Sequence, residues 1–141
     1  MKRKNTDQLL QELMDSNDLS RVLSDNSACF REGDLPHGLQ ALFDQQDMSK
    51  TALAKASGIS EVYLHQVFSG RRTPSRDRLL CLCIGLGASA EETQSLLQQA
   101  HHAPLYARDK RDAVLLFGLS HGLTLPEIND ALFTAGAETL L

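Results

Sequence analysis

Apolar residues recur along this chain at spacings of three and four, the period of an amphipathic helix. No stretch alternates apolar and polar residues cleanly enough for a strand. The pattern predicts an almost entirely helical protein of seven or eight helices with no sheet. Thr6 is the candidate cap of a first helix reaching about Ser16, with Leu9, Leu10, Leu13 and Met14 on one face. A short helix is expected from Asp18 to about Ser24, then a loop or broken helix from Asp25 to Gly33, then a helix from Leu35 to Gln46 carrying Leu39, Leu42 and Phe43. Ser49 caps Lys50–Ala56, Ser60 caps Glu61–Ser69, and Ser75 caps the strongly apolar stretch Arg76–Leu86. Ser89 with Glu92, and Thr124 with Glu127, form capping boxes that open helices to about Ala100 and Ala135. Between them, Asp109–Ser120 reads as a helix. Pro126 fits because it falls in a first turn, where its missing N–H costs little.

One short phrase repeats. Gly58-Ile59-Ser60, Gly87-Ala88-Ser89 and Gly122-Leu123-Thr124 each run glycine, apolar residue, hydroxyl cap. Four residues before each glycine stands a small residue: Ala54, Cys83 and Gly118. Each unit is a helix, a tight glycine turn and a capped helix, suited to packing two helices at a steep angle.

Composition narrows the class. With 141 residues, 42% hydrophobic and 23% charged, the chain suits one compact domain or a domain with a helical extension. No run approaches the ~18 apolar residues of a membrane span. The basic start, Met1 to Asn5, leads into an amphipathic stretch with Asp7, Glu12 and Asp15, not into a secretory apolar region. Cys29, Cys81 and Cys83 lack metal-ligand spacing and read as reduced cytoplasmic thiols. His101 and His102, adjacent at a helix end, read as a solvated pair. No phosphate loop, nucleophile-base set or cofactor motif is legible, which argues against an enzyme and against a bound cofactor or metal.

The net charge of −4 hides its distribution. Residues 1–47 hold five Lys/Arg against nine Asp/Glu, and residues 79–141 hold three against seven. Residues 48–78 hold six (Lys50, Lys55, Arg71, Arg72, Arg76 and Arg78) against Glu61 and Asp77. A basic island lies between acidic flanks, and it coincides with the first glycine unit. Ala54 offers room at a helix crossing, Gly58 supplies a left-handed turn, and Ile59, Leu64, Val67 and Phe68 can anchor the second helix. Glu61, Val62, Tyr63, His65, Gln66 and Ser69 are then expected on or near its outer face. Asn129 and Asp130 are expected on the exposed face of the last glycine unit, which would repel phosphates. Arg108, Lys110 and Arg111 alternate with Asp109 and Asp112 and read as a salt-bridged helix start.

Lys50, Ala54, Gly58, Ile59, Leu64, Val67, Phe68 and Gly70, with the basic run Gln66 to Arg76, resemble the lambda-repressor-like, or XRE-type, helix-turn-helix family. The resemblance extends over about Leu35–Gln99 and implies an all-α, five-helix DNA-binding domain, here with N-terminal helices and a C-terminal helical pair. The corresponding division is 1–34 extension, 35–100 DNA-binding domain and 101–141 C-terminal segment. Carried over, Glu61, Val62 and Gln66 fall where the family reads bases, with Tyr63 and His65 beside them. Ser49, Lys50, Arg71, Arg72 and Arg76 fall where it grips phosphates, aided by the helix starts at Ser49 and Ser75. Lys50 stands where the family often has Gln, and a carboxylate at Glu61 is costly beside DNA unless it accepts from a cytosine amino group. The tract Ala103–Asp112 resembles a segment following this domain in some Gram-positive bacterial members.

The resemblance implies a cytoplasmic transcriptional regulator that binds double-stranded DNA as a homodimer. The alternative is an adaptor or antitoxin-like protein that uses the same fold to bind a protein partner. Val114, Leu115, Phe117, Ile128, Leu132, Phe133 and the Leu140-Leu141 pair mark the C-terminal helices as the candidate dimer surface, with Leu9, Leu10 and Leu13 second.

Overall fold

A computed structural model describes residues 5–26 and 34–141 of the chain. Two compact units are present, Met1–Glu32 and Gly33–Leu141. The expected loop at Asp25–Gly33 lies mostly outside the described residues.

The first unit holds α1 (Thr6–Asp15) and α2 (Leu19–Asp25). Asn5, not Thr6, caps α1: its side chain accepts the Gln8 N–H while the Gln8 side chain accepts the Asn5 N–H. The two residues are both competent caps, and the one that finds a reciprocal partner three positions on takes the role. Val22 and Asn26 are buried, and no residue of α1 is.

The second unit holds α3 (Leu35–Asp44), α4 (Lys50–Ser57), α5 (Glu61–Phe68), α6 (Arg76–Leu86), α7 (Ala90–Gln99), α8 (Lys110–Ser120) and α9 (Leu125–Thr134). The described residues thus contain nine helices, more than the pattern predicted, and no strand. The hydroxyl caps Ser49, Ser60, Ser75, Ser89 and Thr124 all accept a backbone N–H of the first turn, as does the carboxylate of Asp109. Helix α6 is the centre. Leu79 to Ile84 and Leu86 are all buried, so it is apolar all round because it is surrounded. Burial of the two thiols here pushes Cys81 up to about 11 and Cys83 up to about 12, far from reactive thiolates.

The repeated phrase is a repeated piece of backbone. Gly58, Gly87 and Gly122 sit at φ 65°, 67° and 65°. In each case the residue after the glycine donates to the carbonyl of the small residue: Ile59 to Ala54, Ala88 to Cys83 and Leu123 to Gly118. This is the Schellman closure. Close packing explains the small residues. Ala54 is 5% exposed and Cys83 fully buried, and a Cβ on Gly118 would lie 2.6 Å from Ile128 Cγ1. The same closure ends α7 without glycine: His101 takes φ 60° and His102 donates to Leu97.

Helices α8 and α9 share the core of α3–α7. Leu105, Leu115, Ile128, Leu132 and Leu140 join Leu39, Leu53, Leu64 and Leu82 in one buried cluster. Asn129, expected on the outer face of α9, is half-buried and grips the tail: its amide accepts from Leu140 N–H and donates to Leu140 O at 2.7 and 2.8 Å. Of the C-terminal apolar residues considered for a dimer surface, Val114, Leu115, Ile128, Leu132 and Leu140 therefore close this core, and Phe117, Phe133 and Leu141 remain 56%, 79% and 62% exposed. Among the described residues, no helix is long and apolar enough to cross a membrane.

Candidate nucleic-acid interface

Helix α5 is held by one apolar stripe. Tyr63, Leu64, Val67 and Phe68 are buried, spaced i, i+1, i+4 and i+5. The opposite face follows from the 100° turn per residue: Glu61, Val62, His65 and Ser69 are exposed and Gln66 is half-exposed. Val62, 69% exposed, is an uncovered aliphatic side chain at the start of this face. Val62, His65, Gln66 and Ser69 line one shallow concavity together with Gln40, Lys50, Phe68 and Arg71.

Basic groups border it. The Lys50 ammonium lies 4.8 Å from the Phe68 ring centroid and 5.7 Å from that of Phe43, and the two rings meet edge to face. The aromatic pair holds the cation at the start of α4 without neutralising it. The loop after α5 turns back on the helix: the N–H groups of Arg71 and Arg72 both donate to Gln66 O, at 2.9 and 3.2 Å. The side chains of both arginines are exposed, and no carboxylate among the described residues pairs with either. Ser49 caps α4 by accepting the Ala52 N–H, and the other N–H groups that open the helix have no partner within it.

Three expected site residues are placed differently. Tyr63 is 8% exposed. Its ring lies under the guanidinium groups of Arg78, at 4.5 Å, and Arg72, at 5.6 Å, so it supports the basic loop from inside. The stripe anchoring α5 is one residue wider than Leu64, Val67 and Phe68 imply. Arg76 points away from the interface. It forms a two-pronged pair with Asp112 at 3.2 and 3.0 Å and also donates to the carbonyls of Ala103 and Pro104. Its fork geometry suits a carboxylate as well as a phosphate, and the carboxylate has it. Glu61 is outward, but one carboxylate oxygen accepts the Thr51 hydroxyl at 3.1 Å and lies 3.6 Å from His65 Nε2. The turn between the helices brings these partners together, and the carboxylate is thus tied to α4.

The second basic run resolves across helices. Arg111 pairs with Asp77 of α6 at 2.9 and 3.0 Å, and Asp112 pairs with Arg76. The Arg-Asp dipeptides that open α6 and α8 are therefore joined crosswise. The ion pairs expected within the run itself are not formed: Asp109 caps α8, and Arg111 and Asp112 pair with residues 34 and 36 positions away.

A two-helix unit closed by a glycine turn, with an outward second helix, a cation at the start of its first helix and a basic loop after its second, is the arrangement of a helix-turn-helix. Residues 37–96 match the family model described as a helix-turn-helix domain, and this segment is such a domain, consistent with the XRE-like family. The match points to a DNA-binding regulator. Neither the search of curated proteins nor that of solved structures returned a match.

Proposed function

We propose that the protein is a sequence-specific, non-enzymatic transcriptional regulator of the cytoplasm that binds double-stranded DNA as a homodimer. The observation carrying this reading is the exposed face of α5, bounded by Lys50 on one side and by Arg71 and Arg72 on the other. Val62 and Gln66 are the principal readers: the valine can touch a thymine methyl, and the glutamine amide can accept from adenine N6 through its oxygen and donate to N7 through its nitrogen. His65 and Glu61 complete the face, with Glu61 accepting from a cytosine amino group once Thr51 releases it. Lys50, Arg71, Arg72 and the N–H groups that start α4 grip phosphates. Arg76 and Tyr63 act behind the surface.

A single helix reads only a few base pairs, and pairing across a palindrome extends the site. Exposed Phe117 and Phe133 make the C-terminal helices the better dimer surface. The experiment is selection of full-length protein on a random-sequence duplex library, followed by sedimentation. Enrichment of a palindrome and a dimer at tens of micromolar support the reading. A library that returns unenriched supports instead a helix-turn-helix protein acting on a protein partner, and a monomer removes the dimer.

A further inference from the structure

The loop that carries Arg71 and Arg72 has no apolar side chain of its own to anchor it beyond buried Pro74. Its far end is fixed from the segment after α7. His102 Nε2 lies 2.8 Å from Pro74 O; a carbonyl only accepts, so Nε2 carries the proton and donates. Two residues on, Arg76 donates to Ala103 O and Pro104 O at 3.0 and 3.1 Å while its fork closes on Asp112. Asp112 is 7% exposed and also accepts the Tyr106 N–H at 3.0 Å.

That segment is itself immobilised. Gln94 of α7 accepts the Leu105 N–H at 2.7 Å and donates to Leu105 O at 2.8 Å, and the Leu105 side chain is in the core. His101 holds the left-handed position that turns the chain toward the loop. The near end of the loop is fixed by Gln66 O. The segment and its contacts are thus arranged as a strut spanning α6, α7 and α8, and every polar contact it makes with the loop falls on one short stretch, Pro74 to Arg76.

We propose that residues 101–106, anchored by Asp112, are a brace that sets the conformation of the Arg71–Arg72 loop, so that His102, Arg76 and Asp112 are positioning residues for DNA binding that touch no DNA. The proposal rests on the reading of Arg71 and Arg72 as phosphate ligands. It assigns a role within the Ala103–Asp112 tract, which lies beyond the matched helix-turn-helix segment, residues 37–96. Coupling runs through a contiguous set of hydrogen bonds with named donors and acceptors.

The test compares His102→Phe and Arg76→Lys with Arg111→Lys. The last variant weakens the other crosswise pair, which meets α6 and the tail but not the loop. Thermal melts establish that each is folded, and amide hydrogen exchange then follows the Arg71 and Arg72 N–H groups. Protection of these two is expected to fall in His102→Phe and Arg76→Lys and to persist in Arg111→Lys. Affinity for a random-sequence duplex is expected to drop about tenfold in the first two and to stay within about twofold in the third. Lysine at 76 retains a charge able to bind phosphate but not the two-pronged pair, so its loss separates positioning from direct contact. Unchanged protection in both brace variants overturns the proposal, as does a loosened loop with unchanged affinity. Wild-type protein that binds no duplex overturns the DNA reading instead, and the exchange experiment on the free protein tells the two failures apart.

Discussion

The pairs α4–α5 and α8–α9 are built alike and present opposite surfaces. Both turn on a glycine at φ 65°, both return the N–H of the residue after that glycine to the small residue five positions earlier, and both cap the second helix with a hydroxyl. Around α5 stand Lys50, Arg71 and Arg72. Around α9 stand Glu127, Asp130 and Glu138, and the exposed apolar groups of this pair are Phe117 and Phe133. The turn chemistry therefore specifies how two helices pack and carries no information about DNA. That information lies in the sign of the charge beside the second helix and in whether a basic loop follows it.

The comparison breaks most forcefully at the crossings. Ala54→Leu and Gly118→Val each force side-chain volume into a filled contact, and both are expected to destabilise by roughly 1–3 kcal/mol. Thermal melts of the two check this; a wild-type melt for either removes the shared packing role. The outer face separates the pairs next. Gln66→Ala is expected to cost ~1–3 kcal/mol at the base it reads and to relax sequence choice, measured by titrating the selected duplex against single-base variants. Equal weakening on all of them removes Gln66 from the readout.

The turns differ in degree. Alanine at either glycine adopts a left-handed backbone at a cost of about 1–2 kcal/mol. A Cβ at Gly58 also meets Leu125 Cδ2 at 3.2 Å, whereas one at Gly122 meets nothing within 4 Å. Gly58→Ala is thus expected to lower the melting temperature more than Gly122→Ala. The smallest effect belongs to the Glu127 capping box. The Thr124 backbone N–H, and then its hydroxyl, hold the Glu127 carboxyl below its ordinary value. Its contribution is complete above the ordinary glutamate range and is lost as pH falls through the lowered value. Glu127→Gln is expected to flatten slightly the acid limb of a melting-temperature profile.

Helix starts were legible because a cap is a residue-type signal read within four positions. Ser49, Ser60, Ser75, Ser89 and Thr124 carry that signal, and with it the placement of α4 to α7 and α9. Glycine marked three turns for the same reason, and the turn at His101 escaped because no glycine marks it. The outward side of α5 was largely legible from its apolar spacing. Tyr63 was not, because an aromatic ring serves either face and the arginines above it come from the following loop and α6. Arg76 and Arg111 were beyond reach for a stronger reason. Their carboxylate partners lie 36 and 34 residues away, and composition cannot say which of two nearby basic residues faces solvent. The island was correctly basic, but its guanidinium groups divide between surface and scaffold.

The central claim is that the α5 face grips DNA through Lys50, Arg71 and Arg72. Its most direct test is the salt dependence of duplex binding by the full chain, followed by fluorescence anisotropy, for wild type and for Arg71→Ala and Arg72→Ala. Each released phosphate contact should flatten the slope of log affinity against log salt by about 0.9, with affinity lost equally on selected and random duplex. Duplex binding whose slope is the same in wild type and both variants would contradict the account.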